Sequence, residues 1–205
     1  MTNVVTLKSN SVRAQLRAAQ TSGELVRLWR NGLEAGSFAG YVLGVGNEYV
    51  LLWVVGDFLG FDGVFALRHR DVTELEVPDK NAVFIEKAMA LKGVARGTLD
   101  LPVGVLDSAT ELLQWMSAQS NVLSVHVDTE ETHEVCYVGR FVGFDADGFQ
   151  LQEITPDAEW MHELSMFGLE EISAISFDGP YNEALAQIAG APPDDLRPPR
   201  NLKLT

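Results

Sequence analysis

The chain has one cysteine, Cys136, in 205 residues. An internal disulfide is therefore impossible, which excludes a disulfide-stapled scaffold and fits a reducing compartment such as the cytoplasm. Long apolar runs are missing too. No stretch approaches the ~18 residues a helical membrane span needs, and Met1–Gln15 lacks the charged, apolar and small-residue zones of a secretory signal. Basic residues are scarce in one half only. Residues 104–205 hold eighteen Asp/Glu against four Lys/Arg, whereas residues 1–103 hold eleven of each, so the net charge of −14 lies in the second half. Between 104 and 196 the single Lys/Arg is Arg140. Such a surface repels phosphate backbones and anionic headgroups; it suits a basic protein partner, and also serves solubility alone.

Cofactor signatures are lacking as well, and none is expected. Gly56, Gly60 and Gly63 are not followed by the Lys-Ser/Thr or helix start of a phosphate loop. Asp145, Asp147, Glu153, Asp157 and Glu159 lack the spacing of a calcium loop. No nucleophile–base arrangement stands out, so a non-enzymatic role is expected.

What the sequence does contain is a duplication. In the first half the patterning predicts a helix over Ser11–Thr21, strands over Glu24–Arg30, Ser37–Val45, Tyr49–Val55, Val64–Leu67 and Val72–Val77, and a helix over Ala82–Leu91. Asn31-Gly32 reads as a tight hairpin turn. The second half repeats the order: a helix over Ser108–Ala118, capped by Asp107 or Ser108 with Glu111 three residues on, strands over Val122–Val127, Glu134–Phe144, Phe149–Ile154, His162–Phe167 and Ile172–Phe177, and a helix over Tyr181–Ile188. The halves align at an offset of 99 over Val26, Leu28, Phe38, Gly40, Val42 and Gly44. The offset becomes 100 from Leu51 through Val77, and 97 in the closing helix, where Phe84, Leu91 and Gly93 match Tyr181, Ile188 and Gly190. This predicts two modules, 1–95 and 105–190, joined by a linker at Gly93–Gly104 and followed by a Pro-rich tail, 191–205, too rich in proline for a regular helix or central strand.

Glycines four apart in the long second strand, Gly40/Gly44 and Gly139/Gly143, mark a sharp bend or a close backbone approach. Five short strands with the long one bent predict a mainly β chain of two small, closed or nearly closed barrels, each preceded by a helix. On these residues the chain resembles the Sm/LSm-like family, whose fold is an N-terminal helix followed by five strongly bent antiparallel strands. Val138-Gly139-Arg140-Phe141-Val142-Gly143-Phe144-Asp145 is similar to its first motif; Ala39–Val45 matches it with Gly46 in place of the aspartate. At the second motif's Arg-Gly the first half keeps Arg68, followed by His69, and the second half has Gly168-Leu169. Where the family has an RNA-contacting asparagine, this chain has Val50 and Phe149, which cannot bond a base edge as an amide does.

The resemblance implies modules that pair edge strands with neighbours, hence self-association, and a protein-interaction or scaffold role. It also keeps open a divergent RNA-associated role through the neutral first half, using Arg27, Arg30, Arg68 and Arg70. A third alternative, a metal-binding or enzymatic protein, rests on His126 and His133 flanking the turn Asp128–Glu131, with Asp128 beside them. Alternation with Val125 and Val127 places His126 on the solvent face. Cys136 reads as a buried structural cysteine. Trp29, Trp53, Trp115 and Trp160 read as packing residues rather than stacking platforms.

Overall fold

The computed structural model describes residues 9–129 and 135–197. Among these it is mainly β, with ten strands and four α-helices. The chain divides into two compact units, Met1–Leu112 and Leu113–Thr205.

The first unit opens with α1 (Ser9–Ser22). Val12, Leu16 and Ala19 recur at helical spacing and are buried. The helix ends where Gly23 takes φ +70° and its N–H returns to the Ala19 carbonyl at 2.8 Å. Five strands follow: β1 (Leu25–Trp29), β2 (Ser37–Val45), β3 (Tyr49–Val55), β4 (Phe61–Arg68) and, after a one-turn 3₁₀ helix His69–Asp71, β5 (Glu74–Glu76). Helix α2 (Ala82–Leu91) closes the set. The strands lie in the order β5-β1-β2-β3-β4. Strand β3 is buried along its whole length because both of its faces are covered. Beside it Leu25, Tyr41, Trp53, Ile85 and Met89 form one apolar cluster, with Trp53 stacked on Phe61 at 4.8 Å.

The second unit repeats this plan. Helix α3 (Ala109–Gln119), inside which the unit boundary falls, leads into β6 (Leu123–Val127), β7 (Val135–Asp145), β8 (Gly148–Ile154) and β9 (Trp160–Phe167). A second 3₁₀ turn, Leu169–Glu171, precedes β10 (Ile172–Phe177) and α4 (Pro180–Ala189). The order is β10-β6-β7-β8-β9, strand for strand that of the first unit. Ser108 Oγ accepts the Glu111 N–H at 3.3 Å and donates to the Glu111 carboxylate at 3.0 Å, the capping box its spacing predicts. The tail runs beside β9 as far as it is described: Arg197 N–H donates to the His162 carbonyl at 2.8 Å and Leu164 N–H to the Arg197 carbonyl at 3.3 Å.

Every strand pairing inside the units is antiparallel. Among the described residues each five-stranded set is open, its first and last strands not bonded to one another, so neither set closes into a barrel there. Asn31-Gly32 does not form a two-residue turn. Seven residues separate the paired ends Trp29 and Ser37, and the Arg30 carbonyl accepts from Leu33 and Glu34 at 2.8 and 3.1 Å.

Register corrects two of the sequence offsets. Gly40 faces Val26 and Gly139 faces Leu123, so Val26 corresponds to Leu123, two residues from the expected Val125. A two-residue slip keeps every side chain on its face, so alternation cannot detect it. Gly44 pairs with Leu51 and Gly143 with Gln150, so Leu51 corresponds to Gln150 rather than Leu151. That one-residue slip goes unseen because β3 is apolar throughout and shows no alternation. The extra residue therefore lies inside β9, not in the preceding turn: Val55 faces Phe61 and Ile154 faces Trp160, both 99 apart, whereas Val64 and Leu164, facing Trp53 and Gln152, are 100 apart.

Candidate functional site

The strand glycines are structural in the way their spacing predicts. A Cβ on Gly40 would stand 2.6 Å from the Trp53 carbonyl oxygen, and one on Gly139 would stand 2.2 Å from that of Gln152. Between the glycines of each pair the register shifts by one residue, between Val42 and Gly44 and between Phe141 and Gly143. Leu43 and Val142 are thus equivalent bulges that bend the long strands. The second glycines differ. Gly44 is pressed by the side chains of Leu101 and Leu106 from the segment after α2, while Gly143 has nothing within 4 Å. Asp145 ends β7 and accepts from the Ala146 N–H at 2.5 Å and from Gln150 Nε2 at 3.1 Å, so its carboxylate organises its own turn.

Of the four arginines, three are held inside the first unit. Arg27 donates to Asp79 at 2.8 Å and Ser37 at 2.9 Å. Arg30 is fully buried, bonded to Glu34 at 2.7 Å and set over the Phe38 ring. Arg68, at the end of β4, bonds Asp71 at 2.5 Å across the 3₁₀ turn. Arg70 is the exposed one, its side chain 64% accessible and 4.0 Å from Asp71. Val50 and Phe149 are both fully buried.

His126 on β6 lies directly opposite Cys136 on β7. Val125 and Val127 occupy the core, so the pair lies on the outer face, and Cys136 is exposed rather than buried. Asp128 follows, its N–H bonded to the Glu171 carbonyl at 2.9 Å. His133 lies outside the described residues. Among the described residues no three His, Cys, Asp or Glu side chains come together as a metal set would.

A cleft of about 420 Å³ opens in the first unit between Arg17, Gly46 and the 101–107 segment. Its polar rim is engaged internally: Asn47 N–H donates to Asp107 at 2.6 Å, Asn47 Oδ1 accepts from Arg13 at 2.9 Å, and Gln20 donates to the Leu43 carbonyl at 3.0 Å. Next to it, buried His69 donates from Nε2 to the Asn47 carbonyl, and its Nδ1 has no hydrogen-bond partner. No helix among the described residues is long and apolar enough to cross a membrane. No family model, curated protein or solved structure matches the chain.

The surface features that sequence reading missed are apolar. Phe84, Leu91, Tyr181 and Ile188 align between the halves as core residues do, yet all four are exposed. The available signal was composition. Eight of the ten residues of α2, AVFIEKAMAL, are apolar, so the helix has more apolar side than one buried face can use.

Proposed function

We propose that this chain is a non-enzymatic protein-interaction or scaffold protein built from two Sm-like modules, which associates with itself and offers an acidic second module to a basic partner. The observation that carries this reading is the set of large apolar side chains left at the surface of both units, Phe84, Leu91, Phe144, Tyr181 and Ile188 among them. The shared strand order β5-β1-β2-β3-β4, the matched bulges and the 3₁₀ turn before the last strand support two copies of one module. Equilibrium sedimentation of the full chain tests self-association, with molar mass rising with concentration as the expected result. Capture of a basic partner that weakens as salt rises is expected for the acidic half.

Exposed Arg70 favours a second reading, an RNA-associated protein using its neutral module. A salt series with single-stranded oligouridylate separates the two. Binding at low salt that falls steeply as salt rises supports RNA association, and absence of binding at low salt removes it.

A further inference from the structure

We propose that the polar cleft beside α4 in the second unit seats an arginine side chain of a basic peptide. The inference rests on the reading above of an acidic second module that meets a basic partner, and it names the seat.

The cleft, of about 370 Å³, lies between the end of α3, the turn into β6, the turn from β10 to α4, and α4 itself. Ser120, Asp178, Asn182, Glu183 and Gln187 give it a polar lining. Asn182 is out of place for a solvated surface. It is 6% exposed and, with Leu185, one of the two buried residues of α4. At the offset of 97 that pairs Gly93 with Gly190, the first module has Ile85 there, also buried. An amide in place of an apolar core residue costs stability unless both of its ends are bonded. Asn182 Oδ1 accepts from Ser124 Oγ at 2.8 Å, but the amide nitrogen has no acceptor among the described residues. Asn182 lines the cleft, so that nitrogen is a donor left for an occupant.

Charge says what the occupant is. Exposed Asp178 and Glu183 line the same cleft, one from the turn and one from the helix. Neither side chain has an ion pair among the described residues. The Asp178 carboxyl is pushed above its ordinary value first by partial burial and then by the Glu183 charge, so the two carboxylates repel one another. A cation relieves that repulsion. From 113 to 196 the only Lys or Arg is Arg140, which already bonds Gln152 at 2.7 Å, so this stretch has no cation to spare. Carboxylates on two different elements suit a planar guanidinium, whose five N–H donors can serve both, better than a compact ammonium. The Asn182 amide then donates to a backbone carbonyl of the same peptide. The volume is near the lower end of the ~300–1,000 Å³ of small-ligand sites, which fits one long side chain with its adjoining backbone.

Fluorescence anisotropy of a labelled nona-arginine peptide with the full chain at low salt tests this. The wild type is expected to bind. Asp178→Asn combined with Glu183→Gln weakens binding about tenfold or more; asparagine tolerates the left-handed φ of +57° at 178, so the turn keeps its shape. Asp147→Asn combined with Asp157→Asn removes the same charge from exposed positions outside the cleft and weakens binding less than about threefold. Asn182→Ile, which restores the first module's residue, weakens it about threefold or more, and far-UV circular dichroism checks that every variant is folded. No binding by the wild type at low salt overturns the reading of a basic partner together with this inference. Wild-type binding that the two double variants weaken equally, or that neither weakens, overturns the inference alone and assigns the attraction to the overall charge of the module. A folded Asn182→Ile chain that binds as the wild type does also overturns it, since Asn182 is then a core residue with no part in the seat.

Discussion

Gly139 stands so close to Gln152 that a Cβ would lie 2.2 Å from the Gln152 carbonyl oxygen. The obstacle is paired backbone, Gly139 being opposite Glu153 in the β7–β8 ladder, so no side-chain rotation relieves it. Gly139→Ala is expected to cost about 2–4 kcal/mol, and Gly40→Ala, facing the Trp53 carbonyl, a similar amount. Gly143→Ala serves as the control. It has open space and no left-handed φ, so its cost stays within about 0.5 kcal/mol. Thermal melts of the three variants check this, with Tm losses of roughly 10 °C or more for the first two.

The same glycines show which features were legible in the sequence. A strand glycine has few explanations, and the bulge and close approach were both readable from Gly40/Gly44 and Gly139/Gly143. Several element bounds, such as Ser37–Val45 and Ile172–Phe177, were also legible, because apolar runs stop at turn residues. Whether the barrels are closed or only nearly so was not, since closure depends on which edges pair and leaves no trace in alternation; among the described residues the sheet is open. Nor was the use of Arg27, Arg30 and Arg68. Their partners Asp79, Glu34 and Asp71 are set by tertiary proximity or by a loop conformation, and a lone arginine reads the same whether it is free or engaged.

Asp79 has a fully buried carboxylate that accepts from Arg27 Nε at 2.8 Å and from the Asn81 N–H at 2.7 Å. Removing Arg27 leaves that carboxylate without its cation, and removing Asp79 leaves the guanidinium with Ser37 as its acceptor but no counter-charge, and the start of α2 without its acceptor. Arg27→Ala and Asp79→Ala are each expected to cost about 3 kcal/mol. The double variant should cost less than their sum. Urea denaturation of all three closes the cycle. A stability loss of this size identifies Arg27 as a framework residue, whatever the chain binds.

Exposed Cys136 faces His126 across the β6–β7 ladder on the outer side of the sheet. The folded protein is therefore expected to react with one equivalent of a disulfide reagent such as dithionitrobenzoate, without denaturant. A thiol that appears only after unfolding would return Cys136 to the core and contradict the register that places it opposite His126. Cys136→Ser should leave the Tm within about 1–2 °C of the wild-type value, because the side chain buries little.

Tyr49 opens β3 with almost no exposure, and its hydroxyl is pushed from an ordinary value of 10.0 up to about 12. Burial is the largest cause and the neighbouring Glu48 carboxylate the next, with Arg68 and Arg70 opposing them. The fold thus holds the proton that the unfolded chain releases near pH 10. The stabilising contribution is complete below that point and declines as pH rises from 10 to 12, by about 1.4 kcal/mol per unit. Tyr41 and Tyr137 are shifted the same way, chiefly by burial, and add to the slope. Stability measured by urea denaturation across this range should fall in the wild type and fall less steeply in Tyr49→Phe. The residual slope in that variant belongs to Tyr41 and Tyr137. If Tyr49→Phe leaves the alkaline slope unchanged, Tyr49 already ionises in the fold as it does in water, and its burial at the head of β3 is not what the structure describes.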